Sequence, residues 1–237
     1  MRWVVPCLLV SGLVMGGCST LQGDDYAVYD PGERFNRASY DATEAVDRRV
    51  IAPVARGYKA VTPNRLQRGI LNVFHNLRGI DSAVNGFLQG KPRAGTTDLA
   101  RVVINSSIGL LGFFDVASRW GLRDQQEDFG QTLAVWGVKR TRYVYVPFLG
   151  PSTVRDLPST LVRSFMPRLI LGSDYHWSLS GLDLISARAD LLGATRVRDA
   201  SALDPYAFTR DAYYQRRKFL IFDGDPPVED FFDEFED

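Results

Sequence analysis

The sequence predicts a mainly α-helical protein with one folded domain, and two observations carry that expectation. A capping residue followed by proline occurs at Asp30-Pro31, Thr62-Pro63 and Asp204-Pro205, a pairing that opens helices because the first helical N–H has no intrahelical partner to lose. Alternating β-branched runs are scarce, leaving Tyr143-Val144-Tyr145-Val146 as the one plausible short strand.

The chain divides into four parts. Residues 1–17 read as a cleavable leader: Arg2, an apolar stretch over residues 3–15, then Gly16-Gly17-Cys18-Ser19. The apolar stretch falls short of the roughly 20 residues that cross a bilayer. A cysteine after two glycines resembles a lipobox, with Met15 in place of the usual Leu, so Cys18 is expected to carry the lipid and become the new N-terminus. The other reading of this end is an ordinary leader with an accidental cysteine. Ser19 rather than Asp after Cys18 resembles outer-membrane sorting. Residues 18–29 lack periodicity and form a lipidated tether, 30–222 form the folded body, and 223–237 an acidic, disordered tail. Cys7 leaves with the leader and Cys18 is alkylated, so the body has no thiol for a disulfide, a metal or catalysis.

The neutral total charge hides a split. The last fifteen residues hold eight acids and no base; without them and without Arg2, 27 bases face 20 acids, a body of +7. A basic, exported protein suits anionic lipid headgroups and excludes nucleic acid.

Within the body, Asp30-Pro31-Gly32-Glu33 combines an N-cap, a proline at the first position and an acid at the third. This helix is expected to run to about residue 50 and stop near Pro53. Thr62-Pro63 then starts another, capped by the threonine hydroxyl. Residues 102–114 carry no charge, and 99–122 read either as a buried core helix or as a re-entrant membrane segment in which Asn105, Ser106 and Ser107 line a wet or headgroup-sized cavity. Residues 157–192 are amphipathic, with Arg163, Arg168 and Arg188 among Leu, Phe and Trp; they suit either a helix lying in the interface, its arginines reaching headgroups, or packing against the domain.

No constellation for bond chemistry is present. His75 and His176 stand a hundred residues apart without a ligand pattern, no Gly-x-Ser-x-Gly elbow or phosphate loop occurs, and Glu127-Asp128 reads as a helix cap. No enzyme, cofactor or metal is expected. What recurs instead is amide and glycine inside apolar text: Phe35-Asn36-Arg37, Asn72-Val73-Phe74-His75-Asn76-Leu77, Asn85-Gly86-Phe87-Leu88-Gln89-Gly90-Lys91, and Glu127-Asp128-Phe129-Gly130-Gln131-Thr132-Leu133. Buried amides tie helices together or offer hydrogen bonds to a headgroup, and the first role is expected for most.

These strings, with Asp30-Pro31-x-Glu33, Gly112-Phe113-Phe114-Asp115-Val116-Ala117, Pro147-Phe148-Leu149-Gly150-Pro151-Ser152-x-x-Arg155-Asp156, and Asp204-Pro205-Tyr206-Ala207-Phe208 to Arg216-Arg217, resemble the MlaA/VacJ family in order over residues 29–223. Gly32, Arg34 and the run Lys139-Arg140-Thr141-Arg142 depart from its pattern. The resemblance implies a helical ring lying in the periplasmic leaflet of the outer membrane, with a central amphipathic channel. Phospholipid that has strayed to the outer leaflet would pass through it to a soluble periplasmic carrier, preserving lipid asymmetry, with trimeric porins as membrane partners. Phe35 and Asn36, a family hallmark, are then candidates for the gate or its hinge, and Asn105, Ser106, Ser107, Gly109, Gly112 and Phe113 for channel or gate. The alternative is a structural lipoprotein that scaffolds porins without moving lipid.

Overall fold

The computed structural model describes residues 27–171 and 176–227; the leader, Cys18, the tether up to residue 26 and the tail from residue 228 lie outside the described residues. The described chain is mainly helical. Its helices are α1 (Glu33–Val46), α2 (Ala52–Val61), α3 (Asn64–Leu88), α4 (Pro92–Ser107), α5 (Val116–Arg119), α6 (Phe129–Val135), α7 (Leu157–Leu171), α8 (His176–Ser201) and α9 (Pro205–Ile221). Strands β1 (Tyr143–Val146) and β2 (Gly150–Thr153) form an antiparallel hairpin between α6 and α7, with Tyr143 opposite Thr153 and Val146 opposite Gly150.

The first helix departs from expectation at both ends. Its N-cap is Gly32, without a side-chain cap. Asp30 is drawn away because better donors reach it: Asn36 Nδ2 at 2.8 Å and the Tyr206 hydroxyl from α9. Nor does the helix stop near Pro53. Residues Asp47–Ile51 form a π-helical turn in which the Ala52 N–H donates to the Asp47 carbonyl, and α2 continues through the proline. Widening the winding just before Pro53 relieves the clash of its ring with the preceding turn. The same turn delivers Asp47 to the inner side, where Arg188 of α8 binds both carboxylate oxygens at 2.7 Å.

Helix α3 starts one step later than Thr62-Pro63 suggests. A residue before proline is pushed into extended backbone, as Thr62 is here, and its carbonyl rather than its hydroxyl is bound, by Gln67 Nε2 at 2.6 Å. Asp204-Pro205 behaves as expected, Asp204 accepting from the backbone N–H groups of Tyr206 and Ala207.

Helices α3 and α4 form the most extensively packed pair. Between them Gly90, at φ +73°, stands in the left-handed region; its N–H bonds to Phe87 and that of Lys91 to Gly86, a glycine-terminated helix end followed by Pro92 opening the next helix. Residues 99–122 are thus not one helix: α4 ends at Ser107. Leu110, Leu111 and Gly112 follow in left-handed backbone. This conformation costs about 1–2 kcal/mol at each leucine, and side-chain amides of α3 hold it: Asn76 Nδ2 donates to the Leu111 carbonyl and Asn72 Nδ2 to that of Phe113. Residues 157–192 likewise divide between α7 and α8.

The buried and exposed sets are inverted. Among the described residues 20 buried side chains are polar or charged against 13 apolar ones, while 33 large apolar side chains are exposed. The apolar core is largely a tyrosine cluster, Tyr40, Tyr143, Tyr145 and Tyr206, with Tyr213 and Tyr214 against it. Most of these rings meet edge to face at 5.3–6.2 Å, and such geometry adds about 0.5–1.5 kcal/mol per pair beyond area burial.

The close approach of α3 and α4 sets a direct test. A Cβ at Gly86 would lie 2.7 Å from the Gly95 backbone nitrogen, which cannot yield, whereas one at Gly57 on α2 meets nothing within 4 Å. Gly86→Ala is expected to destabilise the protein by about 1–3 kcal/mol and Gly57→Ala to stabilise it by up to about 1 kcal/mol, read as Tm in detergent. Equal effects at the two sites would contradict this packing.

Candidate functional site

The interior polar side chains surround three adjoining cavities. A cleft of about 110 Å³ lies along the α3–α4 seam, lined by Asn72, His75, Asn76, Asp98, Arg101 and Asn105 among others. An antechamber of about 200 Å³ shares His75, Gly79 and Asp124 with it. A chamber of about 520 Å³, walled by α7, α8, α9 and the hairpin, shares Arg78, Gln126, Arg163 and Arg216 with the antechamber. The chamber wall alternates charged side chains with Leu149, Pro151, Leu191 and Leu220. Its volume is that of a small-molecule site.

Helix periodicity explains the cleft. Asp98, Arg101 and Asn105 recur along the inner face of α4, while Leu99, Val103 and Ile108 point outward. Ser82 of α3 connects this seam to the segment after α5: the Glu127 N–H donates to its Oγ at 2.8 Å, and the hydroxyl donates to buried Asp98, which also accepts from the Gln125 N–H at 3.2 Å. Burial raises the Asp98 carboxyl, and these two donors offset it only in part. His75 is pushed below its ordinary value, by crowding in the cleft and then by the charge of Arg78.

The chamber is organised by Arg217. Its guanidinium donates to both oxygens of Asp128, at 2.6 and 3.0 Å, and to Asp156 at 2.9 Å. Asp128 caps α6 through the Gln131 N–H, and Asp156 also accepts from Arg155 Nε at 2.9 Å and the Tyr213 hydroxyl at 2.7 Å. Burial alone pushes Asp128 and Asp156 up, but Arg217 more than reverses it, helped by Arg163 at Asp128 and by Arg155 at Asp156, and both carboxyls lie below the ordinary range. Gly130 makes room: a Cβ there would stand 2.2 Å from Asp156 Oδ1 and 2.8 Å from Arg217 Nη2. Across the chamber Asp183 of α8 takes Arg78 of α3 at 2.5 and 2.8 Å.

The residues singled out from sequence fall in two places. Phe35 is exposed on α1. Asn36 is buried beside it, donating to Asp30 and to the Tyr143 carbonyl at 3.1 Å and accepting from the Tyr145 N–H at 3.0 Å, so it binds α1 to β1 rather than lining a cavity. The others gather at the end of α4. Asn105 lines the cleft, its Oδ1 accepting from the Ala117 N–H at 2.9 Å and its Nδ2 donating to Asp115 at 3.1 Å. Ser106 accepts from Asn76 at 2.9 Å, and Ser107 is exposed and donates back to the Val103 carbonyl. Gly109 and Gly112 are crowded by the Asn105 backbone and the Asn76 side chain, and Phe113 fills the space over Gly69. Of the arginines expected at headgroups, Arg188 is committed to Asp47, Arg163 faces the chamber, and the Arg168 and His176 side chains lie outside the described residues. Apart from Arg163, sequence reasoning did not point to the charged pairs of the chamber, because Arg78–Asp183 and Arg217–Asp128 join positions 105 and 89 apart. The Arg216-Arg217 pair in the closing motif was the available signal.

None of the described helices is long and apolar enough to cross a membrane. A polar, cavity-bearing interior beneath many exposed large apolar side chains defines the class: a helical protein that associates with a membrane without a spanning helix among the described residues. The family model described as MlaA lipoprotein matches residues 28–220, and the chain belongs to that family. It is similar to the intermembrane phospholipid transport system lipoprotein MlaA of Escherichia coli (strain K12), at 33% identity over 95% of this chain and 91% of that one. The protein of the same description from Haemophilus influenzae is 32% identical over 91% of this chain and 89% of its own length. A solved structure, from work on the structural basis for maintenance of bacterial outer membrane lipid asymmetry, aligns with a TM-score of 0.68 at 32% identity, covering 81% of this chain and 98% of that one.

The Arg217 cluster gives a pH test. Carboxyls held below their unfolded values contribute stability that is complete above about pH 4 and is lost as pH falls further. Arg217→Gln leaves two buried carboxylates short of their main partner and is expected to cost about 3–5 kcal/mol at neutral pH. The variant is also expected to lose less stability than the parent on acidification from pH 5 to 3, followed by thermal denaturation. An unchanged acid profile would reject the role of Arg217.

Proposed function

We propose that this chain is the outer-membrane lipoprotein of a phospholipid transport system, drawing mislocalised phospholipid from the outer leaflet through its interior and passing it to a soluble periplasmic carrier. The observation that carries the reading is the run of cavities from the α3–α4 cleft to the chamber, with arginines beside apolar side chains, inside a body that exposes many large apolar side chains. Such a lining suits a molecule with one charged end and two hydrocarbon tails. The relatives' description as components of intermembrane phospholipid transport supports it.

In this reading the protein sits in the periplasmic leaflet as a helical ring, held by the lipid on Cys18, with a trimeric porin as membrane partner. The strained loop after α4 supports insertion of the body itself: Leu110 is 65% and Leu111 72% exposed, and Ile108 and Phe114 join them. Backbone strain spent on presenting leucines outward is repaid where those side chains enter hydrocarbon. Transport of this kind needs no bond chemistry, and the lipid gradient or distant components supply the energy.

Cells lacking the gene are expected to accumulate outer-leaflet phospholipid, and the purified protein in vesicles to pass labelled lipid to its carrier. Porin binding without any lipid transfer would instead favour a scaffold and reject the conduit. Phe35-Asn36 are assigned to the hinge of the gate, because Asn36 carries the bonds between α1 and β1. Deleting the pair is expected to change lipid flow at normal protein abundance; wild-type asymmetry in that strain would reject the assignment.

A further inference from the structure

We infer that Arg163 and Arg216 form a phosphate-holding station at the neck between chamber and antechamber, taking the phosphodiester of a phospholipid headgroup. The inference rests on the conduit reading and deepens it. Both side chains line both cavities, so anything passing between the two moves by them.

They are also the cations of that wall left open for a ligand. Arg217 is closely bound by Asp128 and Asp156, and Arg78 by Asp183. Arg216 makes, among the described residues, one hydrogen bond, to the neutral Gln126 Oε1 at 2.9 Å. Arg163 has a 3.4 Å contact with Asp128, whose oxygens are already held more closely by Arg217 and the Gln131 N–H. A guanidinium carries five donors in a fork that matches phosphate oxygens, so two such side chains with most donors unused form an anion site.

The opposing charges fix the side of the neck. Toward the antechamber lie Asp81, Asp124 and Glu127, of which Glu127 is held by Lys91. Toward the chamber the carboxylates Asp128, Asp156 and Asp183 all have arginine partners, and Leu149, Leu191 and Leu220 share the wall. The phosphate therefore lies on the chamber side, with apolar surface for the glycerol and the first methylenes.

The test uses the full lipidated protein in detergent and three soluble probes: dihexanoylphosphatidylethanolamine, dihexanoylglycerol without phosphate, and inorganic phosphate. Arg163 and Arg216 are both substantially exposed, so R163Q/R216Q should fold. The double variant is expected to bind the phospholipid at least about tenfold more weakly and the dihexanoylglycerol unchanged, with R163K/R216K in between because lysine keeps the charge without the fork. Unchanged phospholipid binding by R163Q/R216Q would overturn the station while leaving the conduit standing. Equal weakening for phospholipid and dihexanoylglycerol would overturn it too, as would inorganic phosphate binding as tightly as the phospholipid, which would make the site one for a free anion. Failure of the parent protein to bind any phospholipid would remove the conduit reading itself.

Discussion

One guanidinium of the closing helix ties it to two other parts of the body at once. Arg217 on α9 binds the cap of α6 through Asp128 and the turn after β2 through Asp156, and Tyr213, one turn earlier, adds its hydroxyl to the same carboxylate. A buried ion cluster contributes little net stability by itself, but each member is costly to leave unpaired. The arrangement is therefore selective: helices that meet with these charges mismatched face an uncompensated burial penalty, and the native docking of α6, α7 and α9 satisfies them together.

That solution suits a body that exposes many large apolar side chains. In water, helices associate because apolar surface leaves the solvent; next to hydrocarbon that driving force fades and packing and hydrogen bonds take over. The interior here follows the second regime. Asn36, Asn76, Asn85, Asn105, Gln89 and Gln131 each bond to an element other than their own or to the loop beside it, and glycines at 86 and 95 let two backbones touch. Polar groups that hold helices apart as well as together also leave space between them, so the cavities and the inverted surface have one origin.

Legibility varied with the range of the interaction. Asp204-Pro205 and Glu127-Asp128 act as caps because a cap involves neighbours within three residues. Asp30-Pro31 looked the same and is not one, since Tyr206, 176 positions away, competes for its carboxylate. Pro53 read as a stop because the pattern carries no sign of a π-helical turn, and β2 was missed because Gly150-Pro151-Ser152-Thr153 has no strand signature and exists only by pairing with β1. The uncharged run 102–114 read either as a core helix or as a re-entrant segment, and its local pattern gave no sign of the left-handed loop that ends α4, held by amides from α3.

By itself the sequence determined the helical class, the order of its motifs and through them the family, because these reside in local propensity and spacing. Only the tertiary structure decided which polar residues bind each other and which are left facing the cavities. Arg163 and Arg217 are indistinguishable as letters; a guanidinium becomes structural when two carboxylates converge on it and available for a ligand when its one carboxylate is already taken, and the packing of distant helices alone makes that difference.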